Sequence, residues 1–149
     1  MKKMFFAVLI TVVSSAAAFA NNANPVNEKV LKTFSSEFSN ASNVSWTELK
    51  TKGLFHAVFT YNDQKLDAYF NDEGELMATS RSIDKKQLPL AITKELDSRY
   101  AKAFVSSGVT EFVSEGSTYY FVTVLTDKAT LTLKAASDGS MYVYKKDKK

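Results

Sequence analysis

The chain of 149 residues has no cysteine, one histidine, five glycines and two prolines. Each scarcity removes a class of function. Without cysteine there is no disulfide framework and no thiolate chemistry, so an exported domain of this composition must be held by its core. A zinc site needs several His or Cys ligands, which this chain cannot supply. The single histidine, His56, falls in mid-strand, and no serine sits in a nucleophile-elbow sequence, so a Ser-His-carboxylate triad has no support. With five glycines there is no Gly-rich phosphate loop. The acids scatter over turns and helix faces instead of forming a carboxylate pair. The run Asn71-Asp-Glu-Gly-Glu75 is acidic but lacks EF-hand spacing, and Gly74 is accounted for as a turn residue with positive φ. No catalytic residue, metal ligand or cofactor is therefore expected.

Long apolar runs are also scarce. The one present, residues 4–13, is short for a membrane span, follows Lys2-Lys3 and precedes Ala18-Phe-Ala20. That order is a secretory signal peptide over residues 1–20, cleaved after Ala20, with no stable membrane span left afterwards. Removing it takes Lys2 and Lys3 away, so 17 basic residues face 16 acidic ones. A balanced charge with no basic stripe among aromatics argues against nucleic acid as a partner. The 129 residues that remain make one ordinary domain or two very small ones sharing a core.

What is present is regular. Residues 21–26 read as a disordered lead. Asn27 is a candidate N-cap, and Val30, Leu31, Phe34 and Phe38 recur at helical spacing up to Ser39-Asn40. Strands are expected over residues 43–50, 54–61, 65–70 and 75–83, joined by short turn-rich links that favour antiparallel hairpins. Leu88-Pro89 opens a second helix with an Ile92, Leu96, Tyr100 stripe. Further strands are expected over residues 104–115, 118–126, 129–135 and 140–146, with Ser106-Ser-Gly108 bending the first of these. Residues 147–149 form a basic tail.

The second half repeats the first. A shift of 65 places Leu66 on Leu131, Gly74 on Gly139 and Leu76 on Met141, while a shift of 62 places Val30 on Ile92 and Phe34 on Leu96. The expected fold is α+β: two tandem α-β4 repeats, residues 27–83 and 84–146, with eight antiparallel strands, both helices on one sheet face and the other face open.

Strand parity then sorts the side chains. With Phe55, Ala57, Phe59, Leu66, Ala68, Phe70, Leu76 and Ala78 toward the helices, the alternates face out. The facing of the Trp46 strand stays open, since both of its parities carry apolar residues. The outward set contains His56, Tyr69, Thr79, Arg81, Tyr119, Phe121, Lys134, Tyr142 and Tyr144. Tyrosine gives large contact area at low entropic cost, so His56, Tyr69, Arg81, Tyr119, Phe121, Lys134, Tyr142 and Tyr144 are the candidate partner-binding residues.

Val44-Ser-Trp46, Leu66-Asp-Ala-Tyr-Phe70 followed by Asp72-Glu-Gly74, and Leu88-Pro89 before the second helix resemble the exported PepSY-like, or beta-lactamase-inhibitor-like, proteins of Bacteroidetes-type bacteria. The resemblance covers about residues 26–146. It implies the tandem architecture and a kinship of fold with secreted inhibitors that grip an enzyme with the open sheet face. It carries over no catalytic residue and no inhibitory motif. The expected function is a non-enzymatic periplasmic or secreted module that recognises an envelope protein or peptide through the open face, inhibition being one form of this. The alternative is a small-ligand or ion-binding envelope protein using a pocket between the repeats.

Overall fold

The computed structural model describes residues 26–49 and 53–149. The expected signal peptide, nearly all of the lead and Lys50 of the first expected strand lie outside these residues. Val26, assigned to the lead, belongs instead to the core: it is buried immediately before the helix cap, in the same cluster as Leu31 one turn on.

The elements follow in the order α1 (Glu28–Glu37), β1 (Ser42–Glu48), β2 (Leu54–Tyr61), β3 (Gln64–Asn71), β4 (Leu76–Asp84), a 3-10 turn (Lys85–Gln87), α2 (Leu90–Tyr100), β5 (Phe104–Ser114), β6 (Ser117–Leu125), β7 (Ala129–Ala136) and β8 (Met141–Lys148). Strands pair antiparallel, each with its neighbour in sequence, in one eight-stranded sheet. β4 and β5 join the halves over Ala78–Asp84 and Gly108–Ser114, which makes the sheet continuous. The expected basic tail is not free: Asp147 and Lys148 are strand residues opposite Thr130 and Ala129.

Local chemistry sets these elements. Asn62-Asp63 and Glu115-Gly116 make two-residue hairpin turns with positive φ throughout, the handedness that matches strand twist and that Asn, Asp and Gly tolerate best. α1 is capped by Asn27, whose side chain accepts from the Val30 N–H at 3.0 Å. The same side chain donates to the Asp72 carbonyl at 2.9 Å, tying the helix start to the β3–β4 turn. α2 has Pro89 at its N-cap, preceded by a 3-10 turn held by a capping box between Asp84 and Gln87.

Two apolar clusters fill the space under the helices. Val30 and Phe34 of α1 pack on Phe55, Ala57, Phe59, Ala68 and Phe70. Phe34 is the hub of this cluster, with ring centroids 4.9 Å from Phe59 and 5.1 Å from Trp46. Trp46 therefore faces the helix side. Ile92 and Leu96 of α2 pack on Val109, Val122, Val124, Leu131 and Leu133. Register connects the two cores: Ala68 lies opposite Thr79, which shares parity with Ile83, itself opposite Val109 and then Val122. Both helices thus cover the same face of the sheet, and the other face carries no element among the described residues.

Candidate functional site

The open face is built by parity and register. His56 on β2 lies opposite Tyr69 on β3. Tyr69 lies opposite Ala78 on β4, and Ser80 opposite Phe112 on β5. Phe112 lies opposite Tyr119 on β6, and Phe121 opposite Lys134 on β7, which faces Tyr142 on β8. The result is a row of rings across the sheet. His56 stacks on Tyr69 at 4.6 Å and 9°. Tyr69 meets Phe112 at 6.3 Å, Phe112 meets Phe121 at 6.2 Å, and Phe121 meets Tyr144 at 5.3 Å. β4 makes the row possible by contributing only small side chains, Ala78 and Ser80, which let rings from β3 and β5 approach over it.

Polar groups on this face are held by neighbours. His56 Nε2 and Asp67 Oδ1 are 2.7 Å apart. Lys134 places its ammonium 3.7 Å from the Tyr119 ring centroid, a cation–π contact worth about 0.5–1 kcal/mol at an exposed site. Six interstrand spacings of about 4.8 Å separate β2 from β8, so the row is about 29 Å wide. That width suits one side of a protein–protein interface of roughly 800 Å² per partner.

Seven of the eight expected residues come together here: His56, Tyr69, Tyr119, Phe121, Lys134, Tyr142 and Tyr144. Arg81 does not. β4 carries one extra residue, Met77, between the pairs Phe70–Leu76 and Tyr69–Ala78. This bulge reverses parity downstream of it. Leu76 packs with the first core as expected, but Ala78, expected inward, is on the open face, and Thr79 and Arg81, expected outward, are on the helix side. There Arg81 Nε donates to Glu111 Oε2 at 2.5 Å, and a terminal guanidinium nitrogen donates to Gln64 Oε1 at 3.1 Å. The ion pair lies in the seam between the two cores, with Glu111 largely buried.

Phe112, at the centre of the row, is the residue that sequence reasoning missed. In Val109-Thr-Glu-Phe-Val113 the apolar positions follow no strict alternation. Placing Phe112 outward requires accepting Glu111 inward, which only the Arg81 partner makes reasonable. The irregular register between Val105 and Val109, at the expected Ser106–Gly108 bend, removes any guide from upstream. Counting parity forward from Val109 would have found it.

A pocket between the halves has little room. The cavity lined by Leu66, Thr79, Arg81, Glu111 and Val113 holds about 200 Å³, below the roughly 300–1,000 Å³ of ligand sites, and the ion pair occupies its wall. A larger cleft of about 600 Å³ runs beside α2 between Lys85, Leu96, Tyr100 and Phe104. Among the described residues no group of three or more His, Asp or Glu side chains could hold a metal ion, and no helix is long and apolar enough to cross a membrane.

No family model and no curated protein matches the chain. Solved structures share its fold. A BLIP-like protein from Bacteroides fragilis superposes with a TM-score of 0.69 at 18% identity, covering 84% of this chain and 89% of that one. A DUF2874 family protein from Bacteroides ovatus gives 0.69 at 20% identity, covering 83% and 87%. A Bacteroides eggerthii protein whose name proposes a periplasmic location gives 0.69 at 14% identity, covering 83% and 88%. These relationships match the resemblance drawn from the sequence motifs, and at such identities they establish the fold.

Proposed function

We propose that this chain is an exported, non-enzymatic binding module that recognises a protein partner through the open sheet face. The observation that carries this reading is the ring row His56–Tyr69–Phe112–Phe121–Tyr144, whose rings come from five strands and which crosses seven, β2 to β8, on a face that no element of the described residues covers. A hydrophobic cluster of this extent, rimmed by Lys134 and Asp67, has the anatomy of an interface centre and rim. Successive rings from Tyr69 to Tyr144 are tilted by 51°, 85° and 75°. They form a corrugated surface suited to interdigitating side chains, not one flat stacking platform. Export and a periplasmic location rest on the signal-like residues 1–20 and on the company of the fold. The small cavity between the halves gives the ligand-carrier alternative less support.

The reading includes a duplicated unit. Gly74 and Gly139, related by the 65-residue shift, both have positive φ and both abut helix backbone, at Lys29 and Ala91, which are related by the 62-residue shift. Equivalent turns pressed on equivalent helix positions support descent from one α-β4 repeat.

The test is site-specific photo-crosslinking in producing cells. A photoreactive residue at position 112 or 121 should give discrete adducts that a control at Lys94, on the helix side, does not. Combining Tyr69→Ala, Phe112→Ala and Phe121→Ala in a folded variant should abolish partner capture. Unchanged capture by that variant would remove the face from consideration.

A further inference from the structure

We propose that the outer edge of β8 is a second docking site, which takes an extended peptide segment, acidic in one half and apolar in the other, as an added strand. β8 and β1 are the two ends of the sheet, and no described element pairs with the outer edge of either. The two edges differ. β1 is broken near its start by Asn43, which has positive φ where the register slips, and it offers no basic side chain. β8 carries a slip of its own at Tyr144, the extra residue between the pairs Leu133–Val143 and Thr132–Lys145, so what sets it apart from β1 is its lysines. β8 is eight residues long and exposed along almost its whole length. An edge of this kind presents free N–H and C=O groups that an extended segment can pair, with alternate side chains setting specificity.

The side chains of β8 divide the edge. Its first half exposes Tyr142, Val143 and Tyr144, at 56%, 45% and 63%. Its second half is Lys145-Lys-Asp-Lys148, in which Asp147 is engaged by Lys145 at 2.9 Å. Lys146 and Lys148 share the helix side, opposite Leu131 and Ala129, and neither takes part in an ion pair among the described residues. A strand laid alongside β8 would therefore set side chains against Lys146 and Lys148 at one end, and against Tyr142 to Tyr144 at the other. Acidic residues satisfy the first end, and Val, Ile, Tyr or Phe the second.

Charge also decides which occupants do not fit. A second copy complements the edge poorly, because a two-fold-symmetric pairing over the full length of β8 would set Lys146 against Val143 and Lys148 against Met141, leaving both lysines without a counter-charge. Residues 1–25 of the chain itself contain no Asp or Glu and do not complement the lysines. The occupant that fits is a partner segment of opposite sign. This site shares Tyr142 and Tyr144 with the open face, but its backbone groups and helix-side lysines lie outside the ring row, so the two sites are tested apart.

The experiment uses three fluorescent ten-residue peptides and the folded protein. The first has alternating Glu in one half and Val and Tyr in the other. The second has the same sequence with alternate backbone nitrogens methylated along one edge. The third replaces Glu by Lys. The first should bind, lose about tenfold in affinity when salt rises from low to moderate ionic strength, and give hydrogen-exchange protection to alternate β8 amides. Lys146→Glu with Lys148→Glu should abolish that binding, while the Tyr69, Phe112 and Phe121 alanine variant should keep it. Equal binding of the methylated peptide would overturn strand addition. So would protection on β1, or a concentration-dependent dimer that the acidic peptide fails to dissolve.

Discussion

Arg81→Met tests the seam between the two cores, and with it the parity reversal in β4. The substitution removes the cation from the Arg81–Glu111 pair and keeps much of the side chain's bulk. Glu111 is left with a side chain only 17% exposed and no counter-ion, whereas Arg81 in the native pair is 40% exposed. Orphaning one member of a fully buried pair costs about 3–5 kcal/mol, and breaking an exposed one costs about 0–1 kcal/mol. The intermediate burial here places the expected loss near 2 kcal/mol, or a Tm lower by roughly 6–10 °C for a domain of this size. Glu111→Leu should cost less, about 1 kcal/mol, because the more exposed Arg81 can turn to water. Combining the two should return stability to within about 1 kcal/mol of the native protein, since Met and Leu would join Leu66 and Val113 in bridging the cores. Urea unfolding of the four proteins closes the cycle. A double variant that loses the sum of the single costs would refute the reasoning. So would an Arg81→Met variant no less stable than the native protein. Partner capture should be unaffected throughout, because Arg81 is on the face opposite the rings.

Two further expectations follow from turns and surface charge. Gly74→Ala and Gly139→Ala would each place a Cβ about 3 Å from helix backbone at positive φ, whereas Gly116→Ala at φ +72 meets nothing within 4 Å. The first two should therefore cost about 1–2 kcal/mol more than the last in thermal unfolding, and equal losses in all three would show that the helix contact is immaterial. Glu73 is held below its ordinary value of 4.5 by the hydrogen bond and charge of Lys29, and Lys29 is raised above 10.5 by the same partner. The Glu73 contribution is therefore complete above pH 4.5 and fades as pH falls through the lowered value; the Lys29 contribution is complete below pH 10.5 and fades as pH rises through the raised one. Glu73→Gln should lower the urea midpoint slightly near pH 7 and match the native protein near pH 2, and a gap that persists in acid would contradict the assignment.

Much of the fold was legible because its signals are local. Asn27 before a Val30-Phe34 stripe specifies a capped helix, Asn62-Asp63 specifies a tight hairpin, and alternation in residues 54–61 specifies a strand with one wet side. The expected helix and strand order holds, and the elements begin and end within a few residues of the expected positions. Seven of the eight candidate face residues also follow from alternation: five lie on β2, β3, β6 and β7, which pair without a slip from β2 to β3 and from β6 to β7, and Tyr142 and Tyr144 precede the point in β8 where the slip exchanges the faces.

The sequence by itself determined which segments are strands and helices, and which side chains share a face within each uninterrupted strand. Only the tertiary structure decided how those faces join. It made one continuous sheet of the two halves, turned Asp147 and Lys148 from a tail into part of a sheet edge, moved Arg81 to the helix side and placed Phe112 among the rings. The reason is the two-residue period of a strand. Alternation fixes facing only up to the next extra residue, and one insertion, Met77, exchanges every position beyond it. Whether such a residue bulges depends on the register of two paired strands and on whether Glu111 and Arg81 can meet, which no single stretch of the chain contains.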